Sequence, residues 1–114
     1  MTAAKYKLNH IIAIVDRNGL QQTGRTEDIK PLEPLERKWG AFGWDAQTVD
    51  GHNVFELTRA IIRTERTKTK PHVIIAITVK GKGVRFMENV SEFHGKVPEK
   101  PLMERALREL ETVS

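Results

Sequence analysis

Cysteine is absent from this chain. That excludes disulfides and any thiolate metal site, and it fits a reducing compartment, so a cytoplasmic location is the expectation. No apolar run approaches the roughly 20 residues that a membrane span needs. Residues 1–8 also lack the apolar core of a signal peptide, and no membrane partner is expected. Aromatic residues make up only 6% of the chain, and none is interleaved with a basic tract. The net charge of +4 is spread among acids, as in Arg63-Thr64-Glu65-Arg66-Thr67-Lys68. This pattern describes a solvated surface and gives no footprint for nucleic acid. There is no HExxH pair, no triad spacing and no Walker loop, so neither a metalloprotease nor a P-loop enzyme has support. No internal repeat or low-complexity segment is visible.

What is present is a soluble, globular composition, with 39% hydrophobic and 30% charged residues in 114. The length allows one domain at most, with a modest core and little room for a large active site. The run Ile11-Ile12-Ala13-Ile14-Val15 ends abruptly in Asp16-Arg17-Asn18-Gly19. A buried parallel strand has this form when its carboxyl end opens onto a ligand site. A second apolar run, residues 72–79, ends in Lys80-Gly81-Lys82-Gly83.

Between and around these runs the pattern predicts a helix over 31–42, with Leu32, Leu35, Trp39 and Phe42 on one face. Pro34 suits its first turn and Gly43 its C-cap. A short flanking strand follows over 44–49. Asn53 can cap a helix over 54–64 that carries Val54, Leu57 and Ile61 as a stripe. A loop after residue 83 leads to a helix over 102–113, with Leu102, Ala106, Leu110 and Val113 on one face. Residues 2–8 read as the last turns of a helix. The order β-α-β-α-β-loop-α predicts an α/β fold with a parallel sheet flanked by helices and right-handed crossovers. Both polar strand ends then share one edge.

Three groups of residues carry chemistry. The side-chain oxygen of Asn18, with backbone carbonyls of the following loop, suits a hard cation such as Mg²⁺, although Asn-Gly is equally a turn signal. Lys80-Gly81-Lys82-Gly83 offers close backbone approach and point charge, which suits phosphate or simply forms a basic turn. His94, in an irregular loop, can move a proton or donate to phosphate, or serve the loop alone. His10, His52 and His72 begin strands or lie in turns and read as structural.

Taken in order, these segments resemble transketolase, specifically the later half of its N-terminal thiamine diphosphate-binding domain. The resemblance rests on Asn9-His10-Ile11 through Asp16-Arg17-Asn18-Gly19-Leu20-Gln21, then Pro34 through Lys38-Trp39-Gly40-Ala41-Phe42-Gly43-Trp44, then Val49-Asp50-Gly51-His52-Asn53. It continues through Lys70-Pro71-His72 to Lys80-Gly81-Lys82-Gly83-Val84, Phe86-Met87-Glu88 and Phe93-His94-Gly95. The matching stretches are collinear over nearly the whole chain. Their spacing and the small size are most similar to the N-terminal subunit of a split, bacterial-type transketolase.

The resemblance implies a thiamine diphosphate and Mg²⁺ (or Ca²⁺) enzyme of the pentose phosphate pathway, moving a two-carbon ketol unit between sugar phosphates. It implies Asn18 as a metal ligand, with the carbonyl of Leu20 completing the shell. It places Gln22 and Lys80 near the cofactor and gives His94 a catalytic, cofactor-reaching position. Phe93 stands where the family has tryptophan. A C-terminal subunit or further domains, and a homo-oligomer, are the implied partners. The chain lacks the family's upstream Gly-Asp-Gly, whose aspartate is a metal ligand. It therefore reads as an internal part of the domain, residues 1–114, or a product begun at an internal methionine, and as inactive alone. Two alternatives stand beside this. One is a non-catalytic assembly module; the other is part of another thiamine enzyme such as deoxyxylulose-phosphate synthase, against which the Lys38–Trp44 stretch and Asp50-Gly51-His52 weigh.

Overall fold

The computed structural model describes residues 1–112. In chain order the elements are α1 (Thr2–Lys5), β1 (Ile12–Arg17), β2 (Leu20–Gln21), β3 (Gly24–Arg25), α2 (Thr26–Ile29), α3 (Leu35–Ala41), β4 (Asp45–Asp50), α4 (Val54–Thr64), β5 (His72–Ile77) and α5 (Lys100–Glu111). A short 3₁₀ turn covers Ser91–Phe93. The chain forms two compact units. The first holds residues 1–17 and 32–78; the second holds 18–31 and the chain from 79 onward.

The first unit is an α/β layer built on a parallel sheet of order β1-β5-β4. Ile12 pairs with His72 and Arg17 with Ile77, while Asp45 pairs with His72 and Asp50 with Ile77. All three strands are thus in step, and their carboxyl ends share one edge. The apolar run of β5 explains its central place: His72 to Ala76 are all buried. Parallel strands bury both faces, so near-continuous Val and Ile content suits the middle position. The expected flanking character of the second strand holds, since β4 is an edge.

Helix α4 packs against β4 and β5. Asn53 caps it as its residue type predicts, its side-chain oxygen accepting from the N–H groups of Phe55 at 3.0 Å and Glu56 at 3.2 Å. The inward stripe differs from the apolar spacing. Ala60 and Thr64 are buried and Leu57 is half-buried, whereas Val54 is 72% and Ile61 44% exposed. Small residues let the helix approach the sheet, where the Gln47 side-chain amide donates to the Ala60 carbonyl at 2.9 Å.

Helix α3 begins at Leu35, later than the sequence pattern predicts. The residue before a proline avoids the helical region, so Lys30 and Glu33 hold the chain extended ahead of Pro31 and Pro34. Glu33 instead serves the helix start. Its carboxylate accepts from the Leu35 N–H at 2.9 Å and from Arg17 Nε at 3.0 Å. These two donors hold the Glu33 carboxyl below the usual carboxylate range. Gly43 follows the helix at φ +85°, the left-handed C′ position that favours glycine. Trp39 and Trp44 meet edge to face at 4.9 Å across that turn.

His72 is fully buried. Its Nε2 lies 3.2 Å from the Thr67 carbonyl and its Nδ1 3.3 Å from Asp45 Oδ2. Both ring nitrogens therefore face acceptors, at the strand end opposite the carboxyl edge. This is a structural role, as the sequence reading has it.

In the second unit β2 and β3 pair antiparallel, Leu20 with Arg25 and Gln21 with Gly24. Two-residue strands are too short to show a period, so the sequence reads this stretch only as a polar loop. On α5, Ala106 is half-buried while Leu102 and Leu110 stay 39% and 45% exposed. Val113, expected on the same face, lies outside the described residues.

Candidate functional site

One cavity of about 120 Å³ in the second unit is lined by Asn18, Leu20, Gln21, Gln22, Lys80, Ser91 and His94. Every site residue expected from the sequence, Asn18, Leu20, Gln22, Lys80 and His94, is among them. Two stretches separated by more than fifty residues supply the lining.

The first stretch is held by local chemistry. Asn18 Oδ1 accepts from the Leu20 N–H at 2.9 Å, an Asx turn of the kind asparagine favours. Gly19 takes φ +76° inside that turn. Its carbonyl accepts from the N–H of Thr26 at 2.9 Å and from the Thr26 hydroxyl at 3.3 Å. Thr26 is buried, so the hairpin of β2 and β3 is clamped at its base. Asn18 thus uses its side-chain oxygen on the turn while the residue lines the cavity.

The second stretch begins at the glycine-rich segment after β5. The Lys80 carbonyl accepts from the Asn89 N–H at 2.9 Å, which closes the loop. The Gly83 N–H donates to Glu88 Oε1 at 3.1 Å. Gly81 sits at φ +74°, and a Cβ there would lie 2.5 Å from the Met87 carbonyl oxygen. Only glycine fits. Gly81→Ala should lower unfolding stability by about 2 kcal/mol, from the left-handed penalty plus the backbone clash. Thermal denaturation of the variant checks this; an unchanged midpoint would remove Gly81 from the loop's support.

The 3₁₀ turn then delivers His94, whose N–H donates to the Ser91 carbonyl at 2.9 Å. Phe93 packs edge to face on Phe86 at 5.9 Å. Arg105 lies over the other ring of this pair, 4.9 Å from the Phe86 centroid. An aromatic at 93 therefore anchors the histidine loop, and phenylalanine suffices for that.

The sequence reading missed Gln21 and Ser91. Gln21 pairs with Gly24 across the hairpin, and Ser91 opens the 3₁₀ turn. Neither carries a spacing signal, because only the closed loop brings them in. The other histidines lie elsewhere. His10 lines a separate cavity of about 210 Å³ with Glu65 and Lys68, and His72 is buried in the first unit. The His52 N–H donates to Asp50 Oδ1 at 2.9 Å.

Chemically the lining residues offer three side-chain amides, an ammonium, an imidazole, a hydroxyl and backbone carbonyls. Neutral oxygens suit a hard cation, and the cationic and donor groups suit an anion beside it. Among the described residues no three His, Cys, Asp or Glu side chains converge as a metal cluster. No described helix is long and apolar enough to cross a membrane.

The family profile "Transketolase, thiamine diphosphate binding domain" matches residues 1–111. An apulose-4-phosphate transketolase subunit of Phocaeicola vulgatus is 40% identical over 96% of this chain and 39% of its own length. The 6-deoxy-6-sulfo-D-fructose transketolase subunit SqwG of a Clostridium species is 42% identical over 97% of this chain and 40% of its own. The crystal structure of transketolase from Campylobacter jejuni superposes with a TM-score of 0.87 at 25% identity, over 96% of this chain and 17% of that one. The chain spans about two fifths of the length of these curated relatives. On this profile match, these identities and the shared fold, the chain belongs to the transketolase thiamine diphosphate-binding domain family.

Proposed function

We propose that this chain supplies half of the Mg²⁺ and thiamine diphosphate site of a split transketolase that moves a two-carbon ketol unit between sugar phosphates. The observation that carries the proposal is the convergence of Asn18, Leu20, Gln22, Lys80 and His94 on one cavity. In this reading the Asn18 amide oxygen and the Leu20 carbonyl hold the cation. Lys80 neutralises diphosphate charge, Gln22 hydrogen-bonds nearby, and His94 donates to phosphate or moves a proton at its ring nitrogen. When bound, thiamine diphosphate supplies the carbanion centre that carries the two-carbon unit. The chain's own residues hold and orient rather than break bonds. The missing metal ligand comes from the Gly-Asp-Gly segment or its equivalent outside these residues, and the remaining catalytic groups come from a partner subunit. Relatives whose names mark them as transketolase subunits support a divided enzyme.

A second reading, an assembly module without cofactor turnover, draws on β1. Among the described residues β1 pairs only with β5, and Ile12 and Ile14 on one face are 38% and 60% exposed. An uncovered apolar parallel edge favours association.

Calorimetric titration with thiamine diphosphate and Mg²⁺, with and without the Gly-Asp-Gly segment and the C-terminal subunit, separates the two. The half-site reading expects Mg²⁺-dependent binding only in the completed assembly. Equally tight binding by the lone chain would refute the half-site. Assembly without any cofactor binding would leave the module.

A further inference from the structure

The geometry points to a docking groove between α4 and the edge strand β4, built to take an acidic, partly apolar segment of a protein partner. A concavity of about 320 Å³ is lined by Gln47 and Val49 of β4 and by Glu56, Arg59, Ala60, Ile62, Arg63 and Arg66 on and just after α4. It is remote in sequence from the cofactor cavity and shares no residue with it.

Arg59 and Arg63 are four residues apart on α4 and share one of its sides, and Arg66, just after the helix, lines the same groove. All three are exposed. None lies within ion-pair distance of a carboxylate among the described residues. Like charges three and four residues apart weaken a helix, so the cluster is a local cost without an anion to offset it. The carboxylate in the lining, Glu56, is engaged with the backbone. Glu56 Oε2 accepts from the Asp50 N–H at 3.0 Å, and the Gln47 amide donates to the Ala60 carbonyl. Recognition therefore falls to the guanidiniums.

The other arginine concavity, formed by Arg85, Arg105 and Arg108, differs in this respect. There Glu109 accepts from Arg105 Nε at 2.9 Å and from the Arg85 backbone N–H at 2.7 Å, so a carboxylate already sits among the arginines.

Charge complementarity selects an acidic occupant, and the floor selects its kind. Val49 and Ala60 lie at the base, and Ile62 is 54% exposed at the groove. A small polyanion would leave that apolar surface in water. A peptide segment with carboxylates and a large apolar side chain would cover it, with the guanidinium forks taking carboxylates bidentately. Arginine beside apolar surface is also the composition of interface cores. Among the described residues β4 pairs only with β5, so the groove sits beside an open strand edge.

The test is fluorescence anisotropy with a labelled synthetic peptide of alternating Glu and Leu, titrated with the whole chain. Binding should weaken with salt, and the combined variant Arg59→Gln, Arg63→Gln, Arg66→Gln should weaken it about tenfold, as three partly screened ion pairs would. All three side chains are exposed, and circular dichroism confirms that the variant folds. Arg85→Gln with Arg108→Gln should leave binding unchanged. Equal binding by the α4 variant overturns the groove. Equal affinity for a Glu-Ser peptide, or full displacement by tripolyphosphate at the same affinity, overturns the peptide occupant in favour of a simple polyanion.

Discussion

Asn18→Ala should weaken metal-dependent thiamine diphosphate binding by the completed enzyme about 100-fold, the scale on which lost metal-site contacts act. Two losses combine at this one atom. In the proposed half-site the cation loses the amide oxygen, and in the turn the Leu20 N–H loses its acceptor at 2.9 Å. The second loss frees the turn that presents the Leu20 carbonyl, so both oxygens of the half-shell are disturbed together. Asn18→Asp keeps an acceptor for the turn and adds charge toward the cation, and it should retain most of the affinity. The alanine and aspartate variants thus separate the loss of an oxygen from a change in its charge. Calorimetry of both variants, at fixed Mg²⁺ and with the C-terminal subunit present, measures the difference. If alanine binds as tightly as the natural residue, Asn18 is only a turn former and the metal role is wrong.

Ile74→Ala should cost about 3–4 kcal/mol of unfolding free energy, within the range of buried Ile-to-Ala truncations. Ile74 is fully buried at the centre of β5, with Ile14 and Gln47 paired on either side. Strands on both sides and helix α4 above limit collapse around the vacated volume. A domain of this size has only about 5–15 kcal/mol to lose. Ile14→Ala, in register beside it, should cost under about 1 kcal/mol because Ile14 is already 60% exposed. Urea denaturation of the two variants makes the comparison. A similar cost at both positions would mean that the β1 face is covered in solution.

That contrast shows where sequence reading reaches its limit. Ile14 and Ile74 sit in runs of the same character, and alternation or its absence cannot tell which strand is central. Pairing partners decide it, and those are non-local. The stripe on α4 failed for a related reason. Val54, Leu57 and Ile61 satisfy helical spacing, yet Leu57, Ala60 and Thr64 form the inward side. Spacing marks an apolar face; it does not say which neighbour covers it. At α3 the prolines at 31 and 34 outweighed the apolar period, because the residue before each resists the helical conformation.

The site was legible for a different reason. Asn18-Gly19 and Lys80-Gly81-Lys82-Gly83 each end an apolar strand, and a parallel sheet brings such ends to one edge. His94 was legible as an imidazole in an irregular loop with its role left open, whereas Leu20 and Gln22 came in only through the family resemblance. Gln21 and Ser91 escaped because their places depend on a two-residue hairpin and a single 3₁₀ turn.

The amino-acid sequence by itself determined the alternation of strands and helices, the Asn53 cap, the glycine turns and the family. These follow from local preferences and from strand ends that a parallel sheet must align. Only the tertiary structure decided that β5 is central, that Ala60 and Thr64 face the sheet, and that Ser91 joins Lys80 and His94 around one cavity. Among the described residues it also left Arg59 and Arg63 of α4, and Arg66 just after it, outside ion-pair distance of a carboxylate. Those outcomes depend on contacts between residues far apart in the chain, and local sequence carries no record of which distant group will fill a given face.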